Sequence, residues 1–286
     1  MKKFLLLLMA FAMCFSLCSC TALLNKAKEM ATGTETSKPP EDFIGTGETE
    51  EYTYEEYKTY IKLTEYLGEE TEVVLPTVID SKPVTTIGSL CFYEKPVTSV
   101  TISESITTIE GSAFYYADAL TQIEIPNNVT FIDTRAFGWC NALETVILGN
   151  GITELPDFCF NHCEVLKNIE IPANVTKIGV RAFSYCEQLT EMVFSNSVNS
   201  IGERAFVGCT ALEYLTIENE SATLGAAIFE ETPNAVIIAP ENSSAYNYCA
   251  ENALRWSSSK SIDAITPELP EVSTEISEES SRQEIE

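Results

Sequence analysis

Four cysteines recur at one interval: Cys140, Cys163, Cys186 and Cys209. Two more, Cys91 and Cys159, stand directly before a phenylalanine. Regularly spaced thiols raise three chemistries: disulfide formation, metal ligation and nucleophilic attack. A Cys/His metal set is poorly served, because the chain holds one histidine, His162. That histidine adjoins Cys163 in sequence, whereas a nucleophilic Cys–His pair is brought together by the fold. No GxSxG, HExxH or GxxxxGK[ST] pattern occurs. No enzymatic activity and no cofactor are expected.

The cysteine interval belongs to a larger period. Phenylalanines stand at 92, 114, 137, 160, 183, 206 and 229, a first gap of 22 and then gaps of 23. Five residues before each comes Ile87, Ile109, Ile132, Leu155, Ile178, Ile201 or Leu224. Six residues after it come Leu120, Leu143, Leu166, Leu189 and Leu212 in the full repeats. Runs such as Gln122-Ile-Glu-Ile alternate polar and apolar residues, which predicts a short half-buried strand. Ala182, Phe183 and Cys186 fit one or two helical turns with an apolar face. Such a unit cannot offset about 1–2 kcal/mol of backbone entropy per residue alone. Coils must stack, giving a repeat solenoid. In that register equivalent cysteines have parallel Cβ vectors, which is poor disulfide geometry. They read best as buried thiols acting as small hydrophobes.

The pattern Ile-Gly-x-x-Ala-Phe-x-x-Cys-x-x-Leu-x-x-Ile-x-Ile-Pro resembles the Treponema-type leucine-rich repeat of BspA-like bacterial surface proteins. The resemblance covers about residues 52–256. It implies a right-handed leucine-rich-repeat superhelix of about seven 22–23-residue coils. Residues 73–88 resemble an opening half-coil. Residues 243–252 resemble a closing helix, with Ser244 as its N-cap and Ala245, Tyr248 and Cys249 facing the last coil. The resemblance further implies a non-enzymatic adhesin that binds host or neighbouring-cell proteins; a glycan-capture surface module and a passive envelope scaffold are the alternatives.

The ends carry other signals. Lys2 and Lys3 precede an uncharged run, and Leu17-Cys-Ser-Cys20 resembles a bacterial lipobox. Residues 1–19 then form a lipoprotein signal peptide, and Cys20 carries the diacylglycerol that holds the protein to the membrane. An uncleaved anchor and an ordinary secretory leader are the alternatives, and all three export the chain. The protein is expected on the outer face of a bacterial membrane, at the cell surface. Residues 20–51 read as a flexible tether and residues 257–286 as a disordered acidic tail. The chain of 286 residues has 17 Lys+Arg against 43 Asp+Glu, a net charge of −26. That balance excludes nucleic-acid binding by phosphate neutralisation and docking through a polybasic face.

Two surfaces could recognise a partner. The outward residues of the stacked strands are Gln122, Glu124, Thr145, Ile147, Asn168, Glu170, Glu191, Val193, Tyr214 and Thr216. They predict a continuous, mildly acidic face for an extracellular protein ligand. Glu124 and Glu170 lie two coils apart, roughly 10 Å by strand spacing, just past the separation that suits inverting glycosidases. A second stripe stands two residues after each core Phe: Tyr116, Trp139, His162 and Tyr185. This aromatic column is either local packing or a contact strip for a protein or glycan.

Overall fold

The structure, a computed structural model, describes residues 40–259. The expected signal peptide, Cys20 and all but the first residues of the expected tail lie outside the described residues. Among the described residues, no helix is long and apolar enough to cross a membrane.

Three antiparallel strands open the fold: β1 (Phe43–Glu48), β2 (Tyr52–Tyr57) and β3 (Ile61–Tyr66). The first of these corrects the expected tether, because Phe43–Glu48 is the edge strand of a sheet. It pairs through its backbone, and Gly45 and Gly47 leave no strand-like side-chain pattern to read. Lys62 ties this meander to the first coil, reaching Glu55 at 2.8 Å and Glu110 at 3.3 Å.

The solenoid follows. One flank stacks nine strands: β4 (Glu72–Val74), β7 (Ser99–Thr101), β9 (Gln122–Ile125), β11 (Thr145–Leu148), β13 (Asn168–Ile169), β15 (Glu191–Phe194), β17 (Tyr214–Ile217), β19 (Val236–Ile238) and β20 (Arg255–Ser257). Nine rungs exceed the seven coils expected. The extra two are the opening half-coil, β4, and the closing strand, β20. The second flank begins with a hairpin of β5 (Val78–Ile79) and β6 (Lys82–Ile87). It continues as two-residue strands: β8 (Thr108–Ile109), β10 (Phe131–Ile132), β12 (Glu154–Leu155), β14 (Lys177–Ile178), β16 (Ser200–Ile201) and β18 (Thr223–Leu224). Between coils the pairing on both flanks is parallel.

The segment between the flanks is a run of turns and not a continuous helix: Ala113, Tyr115 and Ala117 donate to Glu110, Ser112 and Phe114 of their own coil. Ser112, Phe114 and Tyr116 donate their N–H groups to Thr134, Ala136 and Gly138 of the next coil, not to their own. The pattern recurs at Arg135, Phe137 and Trp139 and at Phe158, Phe160 and His162. Residues on either side of each Phe are left-handed, as at Ser112 (φ 59) and Tyr116 (φ 59). A helix cannot continue through such residues. The result is a third inter-coil ladder in which these N–H groups point toward the C-terminal end.

The core lies inside the three ladders. Successive core phenylalanine rings stack, from Phe92 on Phe114 at 4.9 Å to Phe206 on Phe229 at 6.2 Å. Offset-stacked pairs add roughly 0.5–1.5 kcal/mol each beyond burial. A tyrosine closes each end. Tyr66 stacks on Phe92 at 5.3 Å and donates its hydroxyl to Glu70 O. Tyr248 meets Phe229 edge-on, and its hydroxyl accepts the Ile228 N–H at 3.1 Å. Tyrosine suits both places because one end is apolar and the other needs a polar partner.

Tyr248 belongs to α1 (Ser244–Glu251), the closing helix. Its N-cap is Ser243 rather than Ser244: the Ser243 side chain accepts the Tyr246 N–H at 3.1 Å. Ala245 and Cys249 are buried and Tyr248 packs on the core, as the spacing predicts. β20 pairs with β19, so Ser257 ends a strand instead of beginning the tail.

Candidate functional site

The strand flank carries the expected face in two parts. Gln122, Thr145 and Asn168 share one register row, and Glu124 faces Ile147 in another. The Asn168 amide donates to Thr145 Oγ1 at 3.4 Å. Glu191 aligns with Tyr214, and Val193 with Thr216. The two parts do not join, since β13 and β15 belong to different sheets. The continuous surface expected from the period is therefore interrupted beside Glu170.

A groove of about 640 Å³ lies at the interruption, with walls that include Ile147, Lys167, Glu170 and Val193. A second groove, of about 650 Å³, lies on the other side of Ile147, against Ser99, Thr101, Glu104 and Gln122. Ile147 is 56% exposed and Val193 47% exposed. Both are apolar groups at positions where the fold needs none. Ser99 and Thr101 were missed in the sequence, although they pair directly with Gln122 and Glu124. The 23-residue interval already pointed to them.

The structure brings the aromatic column together. Trp139 stacks on His162 at 3.8 Å and His162 on Tyr185 at 4.4 Å, while Tyr116 tilts against Trp139 at 5.3 Å. All four residues are left-handed. Each is held so by an N–H bond to the next coil, for example Trp139 to Asn161 O at 2.7 Å. The column stops at Tyr185 because Gly208 takes the next place. A Cβ there would stand 2.4 Å from the Tyr185 ring. The stacked faces are thus occupied by neighbouring rings, and edges face outward. That arrangement favours packing over the stacking of a sugar on a ring face.

Burial pushes the pKa of His162 below its ordinary value, opposed by Glu164 and Glu187. The seven described cysteines are free and buried. Burial pushes the Cys209 thiol up to about 12 and holds the Cys140, Cys159 and Cys186 thiols well above their usual range. Such thiols stay protonated and unreactive. They also donate: Cys140, Cys163, Cys186 and Cys209 each reach the phenylalanine carbonyl of the preceding coil at 3.0–3.2 Å. The ladder is a row of hydrogen-bonded struts as well as hydrophobic filler. Among the described residues, no group of three or more His, Cys, Asp or Glu side chains converges as a metal ion would require.

The turn asparagines are structural too. Asn174 donates to Asn150 O and Ile152 O, and Asn219 to Asn196 O and Val198 O.

Comparison with known proteins gives a consistent picture. A family model for the BspA type leucine rich repeat region matches residues 85–209 and 176–280, in six copies. A leucine-rich-repeat protein from Eubacterium ventriosum is 26% identical with a TM-score of 0.56, covering 68% of this chain and 51% of that one. This chain therefore spans about half the length of that relative. The Treponema pallidum leucine-rich-repeat protein is 27% identical with a TM-score of 0.48, covering 71% of this chain and 82% of its own. No curated protein matches.

Proposed function

The chain belongs to the BspA-type leucine-rich-repeat family, and on that premise we propose that it is a non-enzymatic recognition module on the outer face of a bacterial membrane. Lipid on Cys20 holds it there, and the strand flank binds an extracellular protein of the host or of neighbouring cells. One observation carries the reading: two grooves meet at the exposed Ile147, which with the exposed Val193 stands on a face whose other outward residues are mainly polar. Burying an exposed isoleucine of this kind against a partner is worth about 1.5–3 kcal/mol. The family resemblance supplies adhesion as the use of such binding.

The test immobilises the full chain and exposes it to extracellular-matrix and mucosal proteins. A saturable protein ligand should bind at least about tenfold more weakly to a variant carrying Ile147→Ser and Val193→Ser. Equal capture by the variant, with its circular dichroism unchanged, would refute the strand flank as the site. The anchor is tested separately: Cys20→Ser should release the protein from the membrane fraction and abolish labelling by palmitate.

A further inference from the structure

We propose that Arg135, Phe158 and Arg181 form a second recognition site, one that takes an extended peptide segment bearing two carboxylates. The three residues occupy one position in successive coils, two places before each core Phe. All three are left-handed, with φ of 59, 58 and 52. Phe158 is half-buried, and both guanidinium groups lie against its ring, Arg135 at 4.5 Å and Arg181 at 5.9 Å from the centroid.

Both cations are unspent. Among the described residues, neither guanidinium makes an ion pair or a side-chain hydrogen bond, whereas Arg204 holds Glu203 and Glu230 and Arg255 holds Asn234 O. The acids nearest to Arg135 and Phe158 in sequence each accept a backbone N–H and, among the described residues, form no ion pair with the arginines. Asp133 accepts the Thr134 N–H and Asp157 the Val180 N–H. In a chain with 43 acids and 17 bases, two arginines that share one ring and no acid are unexpected. The Phe158 ring holds the Arg135 guanidinium at 4.5 Å and attracts that of Arg181 from 5.9 Å, and a planar fork so placed suits bidentate capture of a carboxylate.

Geometry and charge select the ligand. Arg135 and Arg181 are two coils apart, roughly 10 Å by strand spacing, which matches side chains three residues apart on an extended polyproline II segment, where a rise of about 3.1 Å and three residues per turn return i and i+3 to one face. A long polyanion would be repelled by the net charge of −26. Two carboxylates at contact distance act inside a screening length of about 8 Å, so each meets its arginine at close range.

This site lies on the turns rather than the strand flank, so its test is independent of the preceding one. The full chain is titrated against a fluorescein-labelled Gly/Ser peptide with two Glu residues three positions apart, at about 0.15 M salt. The controls are the same peptide with Gln and a sulfated heparin oligosaccharide. The Glu peptide should bind saturably and the Gln peptide should not. Arg135→Gln and Arg181→Gln should each weaken binding by about tenfold or more. Ile147→Ser should not weaken it. Arg135→Lys keeps the charge without the planar fork, and it too should bind more weakly than the parent. Equal binding of the Glu and Gln peptides would overturn the proposal. So would unchanged affinity in both Gln variants, or binding of the oligosaccharide at the arginines without binding of the peptide.

Discussion

The single histidine illustrates how a side chain can be held by rings rather than by chemistry. His162 lies between Trp139 and Tyr185, with its Nδ1 4.0 Å from Glu164. Burial lowers its pKa from an ordinary value of 6.5, and Glu164 and Glu187 only partly oppose this. The folded protein therefore takes up this proton at a lower pH than the unfolded chain does. The stabilisation is fully present above pH 6.5 and is lost as pH falls through the lowered folded pKa. Melting temperature should accordingly decline as pH is lowered from about 7.5 to about 5.5, a range set by the histidine pKa and above most carboxylates. His162→Phe keeps the stack and removes the proton. Its melting temperature should be flatter over the same range, and an identical slope in both proteins would refute this account.

At the scale of the element, a proline stands where the second flank breaks. In other coils the residue after the apolar strand position donates to the coil before it: Glu110 to Ile87 O, Asp133 to Ile109 O, Gly179 to Leu155 O and Gly202 to Ile178 O. Pro156 occupies that place between β10 and β12 and has no N–H to give. The strands on either side fall into separate sheets. Pro156→Gly should restore the bond, and the new amide should be as protected from hydrogen exchange as those of Asp133 and Gly179. Rapid exchange at position 156 would show that the break has another cause. Much of this architecture was legible in the sequence. The 23-residue interval gives the core spine and the register of the strand face, because Ile123 and Ile125 alternate with polar neighbours over a full strand. The two-residue strands are too short to alternate. The third ladder leaves no trace either, since its left-handed positions hold Ser, Arg, Phe, Trp and His, with glycine only at Gly208. One groove was hidden for a related reason: it lies where pairing fails between two particular coils, which no average repeat contains, whereas the other crosses the intact pairing of β7, β9 and β11.

For the whole molecule, stability is a sum over coils and the interfaces between them, closed by an unlike unit at each end. The ends are specific. Tyr66 donates its N–H to Cys91 O at the opening, and Tyr248 receives Ile228 at the close. The coils between them are interchangeable to the extent that their ladders match. Removing residues 150–172 takes out one period, including Pro156 and Phe158, and joins Gly149 to Ala173. The Gly179 N–H would then meet Ile132 O, and Phe183 would stack on Phe137. Such a protein should fold with one rung fewer and an uninterrupted second flank. Its urea m-value should fall roughly in proportion to the surface removed. Deleting only residues 150–160 removes half a period, sets core positions against polar ones on every later coil, and should abolish cooperative unfolding. Two deletions with similar outcomes would mean that the coils are not the unit of stability. If the one-period deletion alone folds, the fold is held by register between neighbours, and the grooves and the arginine site are features of individual coils laid on a repeating frame.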